Sequence, residues 1–291
     1  MLFQLIIGGT ASGILYSLIA MGFSLLWQTS QTINFAQGDF VAASAFIMLI
    51  SYSMFHFPYL LSLILTLIVA AFILGFIFKK LIVQRILEKG LMSIICATIA
   101  MSLLIQNSII FYSPESQNFP SLIREGTISI FNANLSFLDI FNIFFAIIII
   151  VILQLFLQKT KIGKALKAVA QNRETANILG IDVPKMIMLA FIINAVLSVF
   201  AAILVSPIYA AKYNMGSALG LRAFYAAIIG GFNQMRGALL GGLLIGYIEV
   251  LTTGYITAEY SEAVILLIVI AVILLKPEGI WGTKEIWSKE L

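Results

Sequence analysis

The sequence predicts an all-α polytopic integral membrane helical bundle of about eight or nine membrane segments, some of them broken or re-entrant. Three observations carry this prediction. Apolar residues make up 61% of the 291, charged residues only 10%, and mean hydropathy is +1.06. A soluble domain runs nearer half apolar and a quarter charged, so no water-soluble fold hides this much apolar side chain. Apolar runs of spanning length recur along the whole chain. Lys and Arg gather in a few short stretches, the pattern that orients membrane proteins.

A spanning helix needs roughly 20 mostly apolar residues. In order, the runs are Leu2–Trp27, Phe40–Phe57, Pro58–Phe78, Leu91–Tyr112, Phe137–Leu157 and Met186–Tyr209. A short Ala223–Phe232, a glycine-rich Ala238–Leu251 and Glu262–Leu275 complete the series. The first run lacks a basic leader and a cleavage site, so it reads as a retained span rather than a signal peptide.

The basic clusters set the orientation. Lys79, Lys80, Arg85 and Lys89 form one cluster, and Lys159, Lys161, Lys164, Lys167, Arg173 and Lys185 another. Lys276, Lys284 and Lys289 sit on the tail, and Arg236 stands apart. With these on the cytoplasmic side, the polar stretch Ser113–Ser136 lies outside and the C-terminus inside. Counting back from Lys79 places the N-terminus outside; a crossing or re-entry around Asn34–Asp39 would reverse it. The net charge of +4 is read as orienting the chain in the lipid bilayer, with no nucleic acid as partner.

No linker divides the chain, so residues 1–291 read as a single transmembrane domain with a cytoplasmic loop at 158–185. One cysteine, Cys96, excludes an intrachain disulfide and Cys-based metal sites. One histidine, His56, excludes two-His zinc motifs. Neither an enzyme's nucleophile–base pair nor a metal cluster can be assembled from these residues. No G-x-x-x-x-G-K-[ST] occurs, so ATP-driven transport would need ATP and Mg on another chain, with no cofactor here.

Four features interrupt the apolar pattern. Gln28–Asp39 is a run of amides and hydroxyls that ends in an acid and is broken by Gly38. Asn34, Gln37, Gly38 and Asp39 are therefore candidates for a broken helix on a translocation path. An interfacial loop with Asp39 capping the next helix is the plainer alternative. Gly230–Gly242 is a second polar break, with Asn233, that loosely mirrors the first. Gly237, Gly241, Gly242 and Gly246 at four-residue spacing suit close helix packing, as do Gly9 and Gly13. Gly163–Gly180 reads as a cytoplasmic amphipathic helix with Ala165, Leu166, Val169, Ala176 and Leu179 near one face, Arg173 and Glu174 elsewhere, and Gly180 as its end. Lipid headgroups and a partner groove are both open to it. Glu249, an acid inside an apolar run, is the remaining candidate, with a place near the outer interface beside Thr252, Thr253 and Gly254 as the alternative. No intramembrane acid–base pair is evident.

Four segments together resemble a known family. Ile33-Asn-Phe-Ala-Gln-Gly-Asp-Phe40 resembles the signature of permease subunits of branched-chain amino acid ABC importers. Gly230-Gly231 with Gly237-Ala-Leu-Leu-Gly-Gly242 is similar to that family's C-terminal signature, and Ala168–Ile181 to its ATPase-coupling loop. Lys276-Pro-Glu-Gly-Ile-Trp-Gly282 matches its closing pattern. The chain length resembles the shorter of the two permease types.

The resemblance implies a cell-membrane importer. A second permease subunit, identical or different, would complete the pore, two cytoplasmic ATPases would dock beneath, and an extracytoplasmic solute-binding protein would deliver substrate. It implies alternating access driven by those ATPases. It makes Gly163–Gly180 a coupling element and Asn34–Asp39 part of the path or gate. Branched-chain or similar hydrophobic amino acids are the first substrate reading, urea or short amides the second. An ATP-independent carrier or channel remains a different class, expected to show clearer duplication and an ion site.

Overall fold

The computed structural model describes residues 2–86, 89–123, 126–130 and 133–282. Lys284 and Lys289 lie outside the described residues. Helix α1 spans Leu2–Ser30, and α2 spans Gln37–Leu49 and ends in a wider π turn at Ile50–Met54. Helix α3 (Tyr59–Ala70) is carried on by π turns over Ala71–Ile77 and Lys79–Val83 and by the single turn α4 (Gln84–Ile86). Helix α5 covers Leu91–Tyr112. Strands β1 (Thr127–Ile130) and β2 (Ala133–Ser136) pair antiparallel, Thr127 opposite Ser136. Then follow α6 (Phe137–Lys159), α7 (Lys161–Gln171), α8 (Arg173–Ile178) and α9 (Val183–Tyr209). Helices α10 (Met215–Gly230), α11 (Met235–Tyr255) and α12 (Ser261–Leu275) close the membrane part.

Seven of these helical stretches are long and apolar enough to cross a bilayer. With α2 and the shorter apolar α10 they fall within the expected eight or nine segments. Two boundaries differ from the sequence reading. The third span runs on to Ile86 rather than ending at Phe78, and at 28 residues it is longer than the roughly 20 a hydrocarbon core requires. Lys79 is tolerated inside it because its ammonium donates to Gln84 Oε1 at 3.1 Å, one turn on. The short run Ala223–Phe232 belongs to a helix that begins earlier, at Met215. Cys96 is exposed on α5.

The chain forms two compact units that interleave in sequence. One comprises Met1–Ser24, Ile123–Ile150 and Leu221–Leu291, the other Leu25–Leu122 and Val151–Gly220. The boundaries between these ranges fall at positions within α1, α6 and α10.

In the first unit, α11 packs on α1 and on the second half of α10. A methyl group at Gly246 would overlap the backbone of Gly13, and one at Gly242 the backbone of Ser17. Gly241 and Gly237 stand in the same relation to Ala226 and Gly230. The four-residue spacing thus resolves into two glycine pairs, each letting α11 approach a different helix closely enough for dispersion to act along the backbone. Ser17 and Ser24 add hydrogen bonds to the carbonyls of Leu239 (2.6 Å) and Phe232 (2.8 Å). The tail strap is tied back by Ile280 N–H to the Ile229 carbonyl at 2.7 Å. Gly231 and Gly279, at φ +94° and +86°, meet closely there.

In the second unit, α2 is enclosed by α9, α5 and the third span. Phe40 stands edge-on to Phe78 at 5.1 Å, and Phe78 lies 6.0 Å from Phe191. All three rings are buried. The Gly75 backbone comes so close to Ile192 that a methyl group there would lie 2.8 Å from its Cα.

Candidate functional site

The polar break after α1 is a buried, extended stretch of backbone. Gln31 adopts φ 52°, and Thr32, Asn34 and Ala36 are buried. Non-helical backbone at membrane depth is tolerated only where protein or water satisfies it. Here Asn34 does so twice: its carbonyl accepts from Gln37 N–H at 3.0 Å, and its Oδ1 from Ala36 N–H at 3.1 Å. The Ser30 and Thr32 hydroxyls pair at 2.6 Å.

Helix α2 then begins at the depth of the middle of its neighbours. Gln37 exchanges hydrogen bonds with Asn194, Nε2 donating at 2.8 Å and Oε1 accepting at 2.5 Å. Asn194 lies midway along α9. Asp39, in the first turn of α2, reaches the middle of α5 instead of capping its own helix. Its Oδ2 accepts from the Ser102 hydroxyl at 2.5 Å and its Oδ1 from Gln106 Nε2 at 3.2 Å. Gln106 Nε2 also donates to Ser217 Oγ at 2.8 Å, in the first turn of α10.

Two helix starts therefore meet around one carboxylate. A methyl group on Gly38 would overlap the Gly216 carbonyl and lie 2.7 Å from Gly220 Cα. One on Gly216 would lie 2.5 Å from Asp39 Oδ1. The positive ends of the α2 and α10 dipoles both favour the negative charge of Asp39. A second break lies in the stretch before α10. Ala210 adopts φ 56°, Ala211 exchanges two backbone hydrogen bonds of 2.9 Å with Gln117, and α10 starts at Met215. Gly230–Gly242 instead runs from the end of α10 through a tight turn at 231–234 into α11, closed by Gln234 N–H to the Gly231 carbonyl at 3.1 Å.

The structure gathers Asn34, Gln37, Gly38 and Asp39 in the second unit and places Asn233 and Glu249 in the first. Asn233 lies in the α10–α11 turn, while Glu249 is well along α11. Glu249 belongs to an acid–base pair that the sequence reading did not find. Arg222 Nη2 stands 3.1 Å from its Oε1, and the Tyr16 hydroxyl donates to its Oε2 at 2.6 Å. The Arg222 guanidinium also lies 5.9 Å over the Tyr16 ring. The pair was missed because Arg222 stood between two apparent spans, outside any apolar run. Ser102, Gln106, Asn194 and Ser217 were missed as well. The signal for three of them is a polar side chain interrupting a span.

The cytoplasmic element is two helices, not one. Thr160 Oγ1 caps α7 by accepting from Gly163 N–H at 2.9 Å, and Asn172 Oδ1 caps α8 by accepting from Thr175 N–H at 2.9 Å. Extended Asn172 (φ −158°) breaks the run because an N-cap residue leaves helical geometry. Leu166, Val169 and Ala176 are buried and Ala165 partly so, whereas Leu179 is 73% and Ile178 84% exposed. The expected single apolar face is thus divided: one part packs on the protein and the α8 tip projects outward. Glu174 is exposed. Arg173 is half-buried, and desolvation pulls its guanidinium below the usual value. Gly180 at φ +82° ends α8, with Ile181 N–H donating back to the Ala176 carbonyl at 3.0 Å.

The family model for the permease component of branched-chain amino acid transport systems matches residues 5–273. The chain belongs to that permease family. It is 28% identical to the high-affinity branched-chain amino acid transport system permease protein BraD of Pseudomonas aeruginosa, covering 97% of this chain and 96% of that one. It is 26% identical to the Escherichia coli K12 protein LivH of the same description, again over 97% and 96%. A probable branched-chain amino acid transport permease of Methanocaldococcus jannaschii is 29% identical, over 94% and 89%. No solved structure matches the permease. As a permease it is a multi-pass membrane protein and a transport subunit rather than an enzyme.

Proposed function

We propose that this permease is the membrane-spanning subunit of an ATP-binding-cassette importer for branched-chain or similar hydrophobic amino acids. The observation that carries the reading is the family match over residues 5–273, with relatives described as branched-chain amino acid permeases along nearly their whole length. The polar centre around Asp39 supports it, since a path for a polar solute needs hydrogen-bonding groups at mid-depth. Alternating access supplies the mechanism, with two cytoplasmic ATPases holding ATP and Mg and a second permease completing the pore.

The orientation follows from the basic residues. Lys80, the α7 lysines and Lys276 face the cytoplasm, the β1–β2 hairpin faces outside toward the binding protein, and the N-terminus is outside. The exposed α8 tip, Ile178 and Leu179, is the apolar knob for an ATPase cleft.

Leucine uptake by proteoliposomes tests the reading. Accumulation is expected only with this chain, its second permease, the ATPases, ATP and loaded binding protein together. Uptake by this chain alone without ATP would overturn it in favour of a carrier or channel.

A further inference from the structure

The Gln106 side chain has a polarity that its neighbours dictate. Asp39 is acceptor-only as a carboxylate, so the amide must turn Nε2 toward it. Nε2 faces three acceptors, Asp39 Oδ1 at 3.2 Å, Ser102 Oγ at 3.3 Å and Ser217 Oγ at 2.8 Å. The carbonyl Oε1 is thereby turned away from the cluster and has no hydrogen-bond partner among the described residues. Gln106 is half-buried and Ser217 is exposed, so this oxygen and the Ser217 hydroxyl both reach the surface of the unit. Ser217 spends its oxygen on Gln106 and keeps its O–H to donate.

An unpaired amide carbonyl within a membrane helix costs free energy unless something polar meets it. A lipid tail offers no donor. The residue pair instead presents one acceptor and one donor side by side, the complement of an ammonium and a carboxylate on one carbon. We infer that Gln106 Oε1 accepts from the α-ammonium of the transported amino acid while the Ser217 hydroxyl donates to its carboxylate. Asp39 is the positioning residue: buried and out of reach of solute, it fixes which end of the Gln106 amide faces the path. This rests on the importer reading and adds to it the residues that meet the substrate headgroup.

The test uses the complete transporter in nanodiscs without binding protein, with leucine and 4-methylpentanoate, the same skeleton lacking the amine, compared by saturation-transfer NMR. Wild type is expected to prefer leucine by tenfold or more, on the order of one charge-assisted hydrogen bond. Gln106→Leu should erase that preference. Asp39→Asn should weaken it, since the amide is then free to flip, and the double exchange Asp39→Asn with Gln106→Glu should restore it by reversing donor and acceptor. A preference unchanged in Gln106→Leu, no preference in wild type, or a double exchange no better than Asp39→Asn alone would overturn the inference. Leucine uptake by the wild-type system is scored separately. Its failure with all partners present would remove the importer reading, whereas normal uptake beside an unchanged Gln106→Leu preference removes the headgroup site alone.

Discussion

Arg222 and Glu249 form an ion pair at 3.1 Å that joins α10 to α11 within the membrane part of the chain. The two side chains are 28% and 15% exposed, so water screens their charges only partly. Tyr16 brings α1 into the same cluster through its hydroxyl. Breaking a buried pair by removing one charge is far more costly than removing both. Glu249→Gln should therefore destabilise the permease by about 3 kcal/mol, read as a lowered Tm in detergent. The double variant with Arg222→Gln should recover part of that loss. If the two single losses simply add, the pair has no coupling and serves only to fill space.

Gly38 makes a second, purely steric prediction. Any side chain there meets the backbone of Gly216 and Gly220, which cannot rotate away. Gly38→Ala should cost about 1–3 kcal/mol, the range for overpacking a close-packed interior. Gly90, at φ +93° with open space around it, is the control for which strain is conformational rather than steric. Unaltered thermal stability and uptake in Gly38→Ala would show that α2 and α10 do not approach as closely as the structure has them.

Two residues of the coupling segment should separate in their effects. Leu179 is exposed on the α8 tip and Ala176 is buried beneath it. Leu179→Asp is expected to leave the permease folded and to abolish ATPase docking, measured by co-purification. Ala176→Asp buries a charge and should lower the Tm of the permease itself by placing an unpaired carboxylate inside. Normal co-purification of ATPase with Leu179→Asp would remove α8 from the interface.

Asp182 caps α9 through Lys185 N–H at 3.1 Å and pairs with the Lys185 ammonium at 2.8 Å. These contacts hold its carboxyl below the ordinary value of 3.8. A depressed folded value means the contribution is fully present above pH 3.8 and is lost only as pH falls through the lower folded value. Asp182→Asn keeps a capping oxygen without the charge. The Tm difference between wild type and this variant should be flat from pH 8 to about pH 5 and shrink below pH 4. A difference that changes instead around neutrality would assign the titration to another group.

The two polar breaks illustrate what could be read in advance. Gln28–Asp39 was recognisable because amides and an acid between two apolar runs conflict with burial in lipid. The break before α10 was not, because no run of amides and acids marks the residues that follow the span ending at Tyr209. Its role depends on Gly216 lying against Gly38, far away in sequence. The cytoplasmic segment was legible as an amphipathic helix. Its division at Asn172 turned on one side chain preferring to cap rather than continue.

The sequence by itself determined the membrane class, the succession of spans, the glycine pairs of α11 and the family, all of them local properties. A bilayer selects on hydropathy segment by segment, so each span announces itself without reference to the others. The tertiary structure alone decided that Asp39 meets Ser102 from 63 residues away, that Glu249 meets Arg222, and that Gln106 turns its carbonyl outward. Those outcomes depend on how each helix is rotated and where it starts in depth. That is set by close contacts between glycine backbones and by the pairing of buried polar groups, neither of which any single segment contains.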